Sequence, residues 1–463
     1  MVTTLDVERI EASIPAAEFF EKFVSKRKPV VLNGLPDDPS FKAQRWTEPL
    51  HAGKNHYGTD VQREFMPLRA FLDSLGADAG PHHYLTTQYS GGAWDALTVC
   101  SPPTDALRDD FPAVPRVMGR LCAQQVNLWL GRSGAGTSSG LHHDYHDNLY
   151  CLLRGRKRFV LFPPAAHAHL APHGVVHAVH ANGVIAYDPS ARADGLDART
   201  AAKARVRALE GRLGALGSRG KGKGKGKGKG RADTEERRGL LGALEDARRE
   251  LAALAGEGGS DDEDEDEDED EGGEALDDCG SLAGDLEDGV DDYDALMGGA
   301  DDELDGDEGG AGPSGEDARG EEPPSFSRIP AALLHRHLGL PTTARLPEDT
   351  PADAFAGLAE ATAYVVELRA GEMLYLPASW WHEVTSTSEP GAEEGPEVHM
   401  AFNYWFYPPG GGSFEEPYED RVVWEYLREQ NRAAREEASA NGERKGKRGL
   451  EDAHDAGSKK AKR

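Results

Sequence analysis

The chain has 463 residues and a formal net charge of −30, from 82 acidic and 52 basic side chains. Residues 257–322 alone hold 31 of those acids and a single base, Arg319, so this block carries the whole excess and the remainder sums to zero. The acidity belongs to one segment rather than to a folded body, and it disfavours direct contact with nucleic acid, although the KG repeat described below could touch phosphates weakly. No run of about 18 apolar residues occurs, so no membrane span is expected. The opening "MVTTLDVERIEASIP" lacks the apolar core of a secretory signal. Cys100, Cys122, Cys151 and Cys279 are scattered without a CxxC pair, which suits reduced thiols in the cytosol or nucleus.

Residues 1 to about 190 read as one globular stretch. "PAAEFFEKFVSKRKPVVLNGL" predicts an amphipathic helix with Phe19, Phe20 and Phe23 on one face, then a short strand closed by Asn-Gly. "HHYLTTQYS" and "QQVNLWLG" predict further strands, and "LYCLLRG" and "KRFVLFPP" two more around a tight "RGRK" turn. From about 191 to 323 the texture changes. Segments 197–216 and 234–255 have helical spacing and are expected to form a loose hairpin, with the low-complexity "KGKGKGKGKG" between them. The acidic block that follows has too few apolar residues to offset ordering entropy and is expected to be disordered. Strand signals resume over 324–410, in "ATAYVVELRAGEMLYLPASWWHEV" and "VHMAFNYWFYPP". The pattern is one β-rich domain split by an insertion. A helix is expected from "SFEEPYEDRVVWEYLREQ" onward, within 411–440, and could pair two protomers or pack on its own chain. The tail, 441–463, carries Lys447-Arg448 and then "KKAKR" after ten residues, the spacing of a bipartite nuclear import signal. That predicts an import receptor as partner and a nuclear location, with some cytoplasmic presence.

"LHHDYHDNLYC" concentrates possible metal ligands. On a strand, His142 and Asp144 project to one face and His143 to the other. His382, at the end of an apolar segment after a Pro-containing turn, is the best third ligand. Two histidines and a carboxylate suit a non-haem Fe(II) oxygenase, but zinc hydrolysis uses the same set, so ligands alone leave the reaction open. His146 and Asp147 are expected in a following bend at the surface, and His82 and His83 in a solvated loop.

With "SSGLHHDYHDNLYCLLRGRKRFVLFPP", "PASWWH" and "FNYW", the chain closely resembles JmjC-domain oxygenases of the cupin superfamily, most of all small single-domain protein hydroxylases. The spacing HxD-x3-N-x8-K, together with PxxWWH, makes the resemblance specific. It covers residues 1 to about 190 and 324–410. It implies a mainly β fold, a double-stranded β-helix (jelly-roll) barrel with flanking helices. It implies Fe(II) held by His142, Asp144 and His382. It further implies 2-oxoglutarate gripped by Lys157 with Tyr84 and Ser139, Asn148 and Asn403 as neighbouring amides, and O2 as oxidant. Read alone, a turn lysine commonly snorkels to the surface, Ser139 suits a turn hydroxyl, Tyr84 a core position, and the two asparagines turns or strand ends.

The implied reaction is hydroxylation of a protein side chain coupled to oxidative decarboxylation of 2-oxoglutarate. Lysine demethylation, of a histone or another nuclear protein, is the alternative within the same chemistry. A non-catalytic chromatin scaffold using the barrel shell is the alternative from another class. The acidic block fits basic partners of histone or ribosomal type, and equally a segment that only keeps the protein soluble.

Overall fold

A computed structural model describes residues 4–42, 53–54, 65–76, 83–85, 99–101, 103–219, 229–256, 323–346, 355–389 and 397–430. The chain divides into two compact units. The first combines residues 1–90, 98–196 and 291–419; the second combines 91–97, 197–290 and 420–463. Residues 221–228 of the KG repeat, the acidic block and the basic tail lie outside the described residues.

Eight strands form the heart of the first unit. They are β1 (Ala123–Gly131), β2 (Thr137–Ser138), β3 (Asp147–Arg154), β4 (Arg156–Phe162), β5 (Ala363–Arg369), β6 (Glu372–Leu376), β7 (Trp381–Thr387) and β8 (His399–Phe406). One sheet has the order β5-β4-β7-β2, with Thr4–Leu5 added at its β5 edge. The other has the order β6-β3-β8-β1, extended by Val30–Asn33 and Arg9–Glu11 on one side and by Tyr84–Leu85 on the other. The eight strands pair antiparallel throughout.

Consecutive strands switch sheets instead of pairing as hairpins, which is the winding of a double-stranded β-helix. β3 and β4 are separated by Gly155 alone, yet they lie in opposite sheets. Gly155 makes that switch feasible. Its φ is +74°, and a Cβ there would sit 2.6 Å from the Thr387 carbonyl oxygen and 2.9 Å from His399 Cβ. The alternation breaks between β4 and β5, which are neighbours in one sheet. The helical second unit is inserted in that connection, so it interrupts no sheet-to-sheet crossing.

Period-two alternation sorts the side chains. Phe159 and Leu161 of β4, Val366 and Leu368 of β5, Leu374 and Leu376 of β6, and Tyr150 and Leu152 of β3 meet between the sheets with Trp129, Ala401 and Trp405. Val160, Phe162, Ala363 and Trp381 face outward from the four-stranded sheet. There they pack under Leu334 of the helix Ala331–Leu338 and under Leu170 and Ile185. The expected N-terminal helix forms over Ala16–Val24, passing from α to π geometry at Phe20, and buries Phe19, Phe20 and Phe23.

In the second unit, α1 (Ala198–Arg219) and α2 (Lys229–Gly256) pack through Leu209, Leu244 and Ala247, with Val422 against them. Arg205–Glu250 and Arg248–Glu210 ion pairs link the two helices. The helix expected from residue 414 begins instead at 421. Pro417 cannot sit inside a helix, and Asp420 starts it: its carbonyl accepts from Trp424 N–H at 3.0 Å and its carboxylate from Val423 N–H at 3.3 Å.

Candidate metal centre and the pocket behind it

Leu141–His146 is not a regular strand. Only His142 is paired, in isolated bridges to His382 and Phe326, and the chain bends before β3 begins at Asp147. The His142 N–H donates to the His382 carbonyl at 3.0 Å and the His382 N–H to the His142 carbonyl at 2.7 Å. Ser379, in the turn before β7, donates its N–H to the Asp144 carbonyl at 2.7 Å. Three backbone bonds therefore fix the HxD segment against the segment that carries His382.

One ligand atom from each of His142, Asp144 and His382 lies within 4.8 Å of the other two. The His142 Nδ1 is 3.1 Å from the Gly140 carbonyl, and the His382 Nδ1 is 2.9 Å from the Trp380 carbonyl. A carbonyl can only accept, so each Nδ1 carries the proton and each Nε2 presents a lone pair. Burial, reinforced by the adjacent His382 ring, lowers His142 to about 4 and keeps it neutral. The donor set is that of a divalent metal with open positions. Phe326 stacks on the His142 ring at 5.0 Å and forms one wall.

Further into the barrel, Lys157 is 1% exposed. It lies on the inward face of β4 with Phe159 and Leu161, so the snorkelling alternative does not hold. Its Nζ donates to Ser386 Oγ at 2.5 Å, and the Tyr84 hydroxyl is 3.5 Å away. Burial lowers the ammonium to about 7. Asn403 Nδ2 donates to Asn148 Oδ1, and Trp129 Nε1 donates to Asn403 Oδ1, both at 2.9 Å. These two asparagines are buried strand residues, not turn amides. Ser139 is engaged elsewhere: its hydroxyl donates to the Gly140 carbonyl and accepts the Val384 N–H, each at 3.0 Å.

The structure therefore adds residues beyond those read from the sequence. Ser386 is the hydroxyl beside Lys157, and the alternation His382, Val384, Ser386 along β7 would have indicated it. Asn127, 2% exposed, has neither amide atom hydrogen-bonded to the protein, and it is paired in register with Asn403. It shares the inward face of β1 with Trp129.

The surface reading of His146 and Asp147 is overturned. Asp147 is fully buried and accepts from the Arg27 guanidinium, from the Tyr375 hydroxyl at 2.7 Å and from Ala378 N–H at 2.9 Å. Burial works against the Arg27 charge, but the Asp147 carboxylate outweighs it and holds the guanidinium above its ordinary value. His146 is buried and stacked on Trp405. His143 faces away from the ligand cluster, as expected, and is buried against Trp381 and Tyr187. His83 is half-buried beside Ser74, whereas His82 lies outside the described residues.

A jelly roll carrying a candidate His-Asp-His metal cluster, with a buried lysine inside, defines a cupin-type domain. The cupin-like domain family matches residues 50–411, and the chain belongs to that family, in its JmjC branch. The fission yeast Schizosaccharomyces pombe "JmjC domain-containing protein 4" is 33% identical over 467 residues, covering 94% of this chain and 92% of that protein. Shorter matches include the human "Bifunctional peptidase and (3S)-lysyl hydroxylase JMJD7", 39% identical over 13% of this chain and 18% of its own. The Arabidopsis thaliana "Lysine-specific demethylase JMJ30" is 28% identical over 27% of this chain and 28% of its own.

Proposed function

We propose that this protein is an Fe(II)- and 2-oxoglutarate-dependent oxygenase that hydroxylates a side chain of a protein substrate. The observation that carries the reading is the pairing of a ligand-ready His142–Asp144–His382 cluster with a buried cation, Lys157, in the same barrel. A metal site alone is compatible with hydrolysis; an enclosed ammonium behind it suits the far carboxylate of a dicarboxylate co-substrate.

When bound, Fe(II) with 2-oxoglutarate and O2 supplies oxidative decarboxylation, which yields succinate and CO2 and places one oxygen atom in a C–H bond. His142 and His382 would hold the metal through Nε2 and Asp144 through its carboxylate. Lys157 Nζ, Ser386 Oγ and the Tyr84 hydroxyl would orient the co-substrate's distal carboxylate. Asn148, Asn403 and Asn127 offer amide groups along the barrel between the two ends. Phe326, stacked on His142, would keep that side of the ligand cluster short of water.

Lysine demethylation is the second reading, supported by the match to a protein named as a demethylase. Nuclear import through the two basic clusters, and basic protein partners drawn to the acidic block, form part of the same proposal. Succinate release that requires Fe(II) and 2-oxoglutarate is expected from the intact chain, and Asp144→Ala should abolish it. Undiminished release in that variant would sink the ligand assignment. Mass spectrometry of treated nuclear peptides separates the readings: gain of one oxygen supports hydroxylation, and loss of one CH2 supports demethylation.

A further inference from the structure

We propose that His399 forms the floor of the co-substrate pocket and sets the length of the dicarboxylate that the site accepts. The inference rests on the oxygenase reading above and adds a positioning residue to it. Register gives the placement. Between β4 and β7, Leu161 pairs with His382 at the metal end, and Lys157 pairs with Ser386 four residues further along. Gly155, two residues beyond Lys157 and away from the metal, is where the chain crosses between the sheets. His399 begins β8 at that level: a Cβ on Gly155 would lie 2.9 Å from His399 Cβ and 3.0 Å from its Cα. Alternation with Ala401 and Trp405 turns its side chain inward, and the residue is 2% exposed. Approached from the metal, His399 stands behind Lys157.

The ring is held there with little slack. His399 and Tyr84 both pair with Gly131, from opposite sides of its strand, and their rings meet across it with centroids 5.5 Å apart. A side chain on Gly131 would break that contact, since a Cβ would lie 2.5 Å from Tyr84 Cδ2 and 3.1 Å from His399 Cε1. The Tyr84 hydroxyl in turn lies 3.5 Å from Lys157 Nζ. A bridge between Glu389 and Val398 fixes the backbone directly before the imidazole. Ammonium, phenol and imidazole are thus linked in one chain of contacts, with the imidazole farthest from the metal.

Chemistry separates the roles of His399 and Lys157. Burial, with the Lys157 charge added to it, lowers the imidazole to about 2. It therefore stays neutral and offers a carboxylate no counter-charge, which leaves that task to Lys157. What His399 supplies is volume: a flat ring packed against Tyr84 and against the glycine crossing, at the blind end of the barrel. Close-packed interiors yield poorly to an added methylene. A dicarboxylate that spans from the metal to Lys157 fits in front of the ring, and a longer one runs into it.

The test is calorimetric titration of the full-length protein with 2-oxoglutarate and with 2-oxoadipate, which is one methylene longer. Mn(II) takes the place of Fe(II), so that binding is read without turnover. The intact protein is expected to bind 2-oxoadipate at least about tenfold more weakly, the discrimination that a packed wall exerts on one methylene. His399→Ala should remove most of that difference by gaining affinity for 2-oxoadipate. His399→Leu, close to histidine in volume, should keep it. Mn(II) affinity, measured separately, shows that each variant retains its fold. Equal binding of both acids by the intact protein would overturn the proposal without recourse to any variant. So would an unchanged ratio, or an equal loss of both acids, in a His399→Ala protein that still binds Mn(II). An intact protein that takes up Mn(II) but neither acid would sink the oxygenase reading, and this inference with it.

Discussion

A lysine enclosed between two sheets loses its hydration, and Lys157 pays for it in proton affinity, falling to about 7. A carboxylate arriving beside it restores the charged form. Above pH 7 the free protein holds a largely neutral amine, so binding of the proposed co-substrate 2-oxoglutarate would take up a proton. Affinity is therefore expected to weaken as pH rises from about 7 toward 9. Titrations in buffers of different ionisation enthalpy measure that uptake, and Lys157→Met should abolish it. An affinity flat across that range would refute the assignment. Asp147 invites a second test at the same scale. Asp147→Asn leaves the buried Arg27 charge without its partner, which costs about 3–5 kcal/mol and should appear as a large drop in melting temperature. His142, Asp144 and Lys157 were legible because the HxD-x3-N-x8-K spacing is local, and His382 because it ends the separate PxxWWH motif. Asp147 was not, because its partner Arg27 lies 120 positions away and an acid after "HHDYH" looks like any bend residue.

Among the elements, the strands were readable and their partners were not. "LYCLLRG" and "KRFVLFPP" carry clear strand character, but nothing local says that a one-glycine turn sends them to different sheets. That follows from the alternation between the two sheets, a property of all eight strands together. The helical hairpin shows the converse, since composition predicted it and composition leaves it weak. Gly211, Gly239 and Gly242 lie exposed in α1 and α2, and a Cβ at any of them would meet nothing within 4 Å. Each glycine inside a helix costs about 0.5–1 kcal/mol relative to alanine. Replacing all three with alanine is expected to stabilise the second unit by about 2 kcal/mol. Greater helical retention on heating, followed by circular dichroism, checks this. Unchanged or lower stability would mean that the glycines serve a contact rather than merely weaken the helices.

For the whole molecule, the end of the acidic block matters more than its charge suggests. Residues 323–327 follow it directly and are hydrogen-bonded to the ligand segment: His143 N–H donates to the Ser325 carbonyl at 3.1 Å and Ser327 N–H to the Leu141 carbonyl at 2.8 Å. Phe326 between them stacks on His142. These contacts put the edge of the insertion at residue 322, beside residue 324, from which the sequence reading resumes the β-rich domain. Two deletions separate these roles. Removing 257–322 keeps α1, α2 and the whole metal-site wall; removing 257–328 also takes away Phe326 and both backbone bonds. Visible absorption of Co(II) titrated into each protein reads the ligand cluster without any turnover. The shorter deletion is expected to bind Co(II) as the intact chain does, and the longer one to bind it at least about tenfold more weakly, the equivalent of some 1.4 kcal/mol of lost positioning. Equal Co(II) binding by both would show that the returning segment only passes by the site. The shorter deletion also removes 31 acids and one base, bringing the formal charge from −30 to zero. Proteins near zero net charge associate more readily, so solubility near neutral pH should fall even though the metal centre is intact.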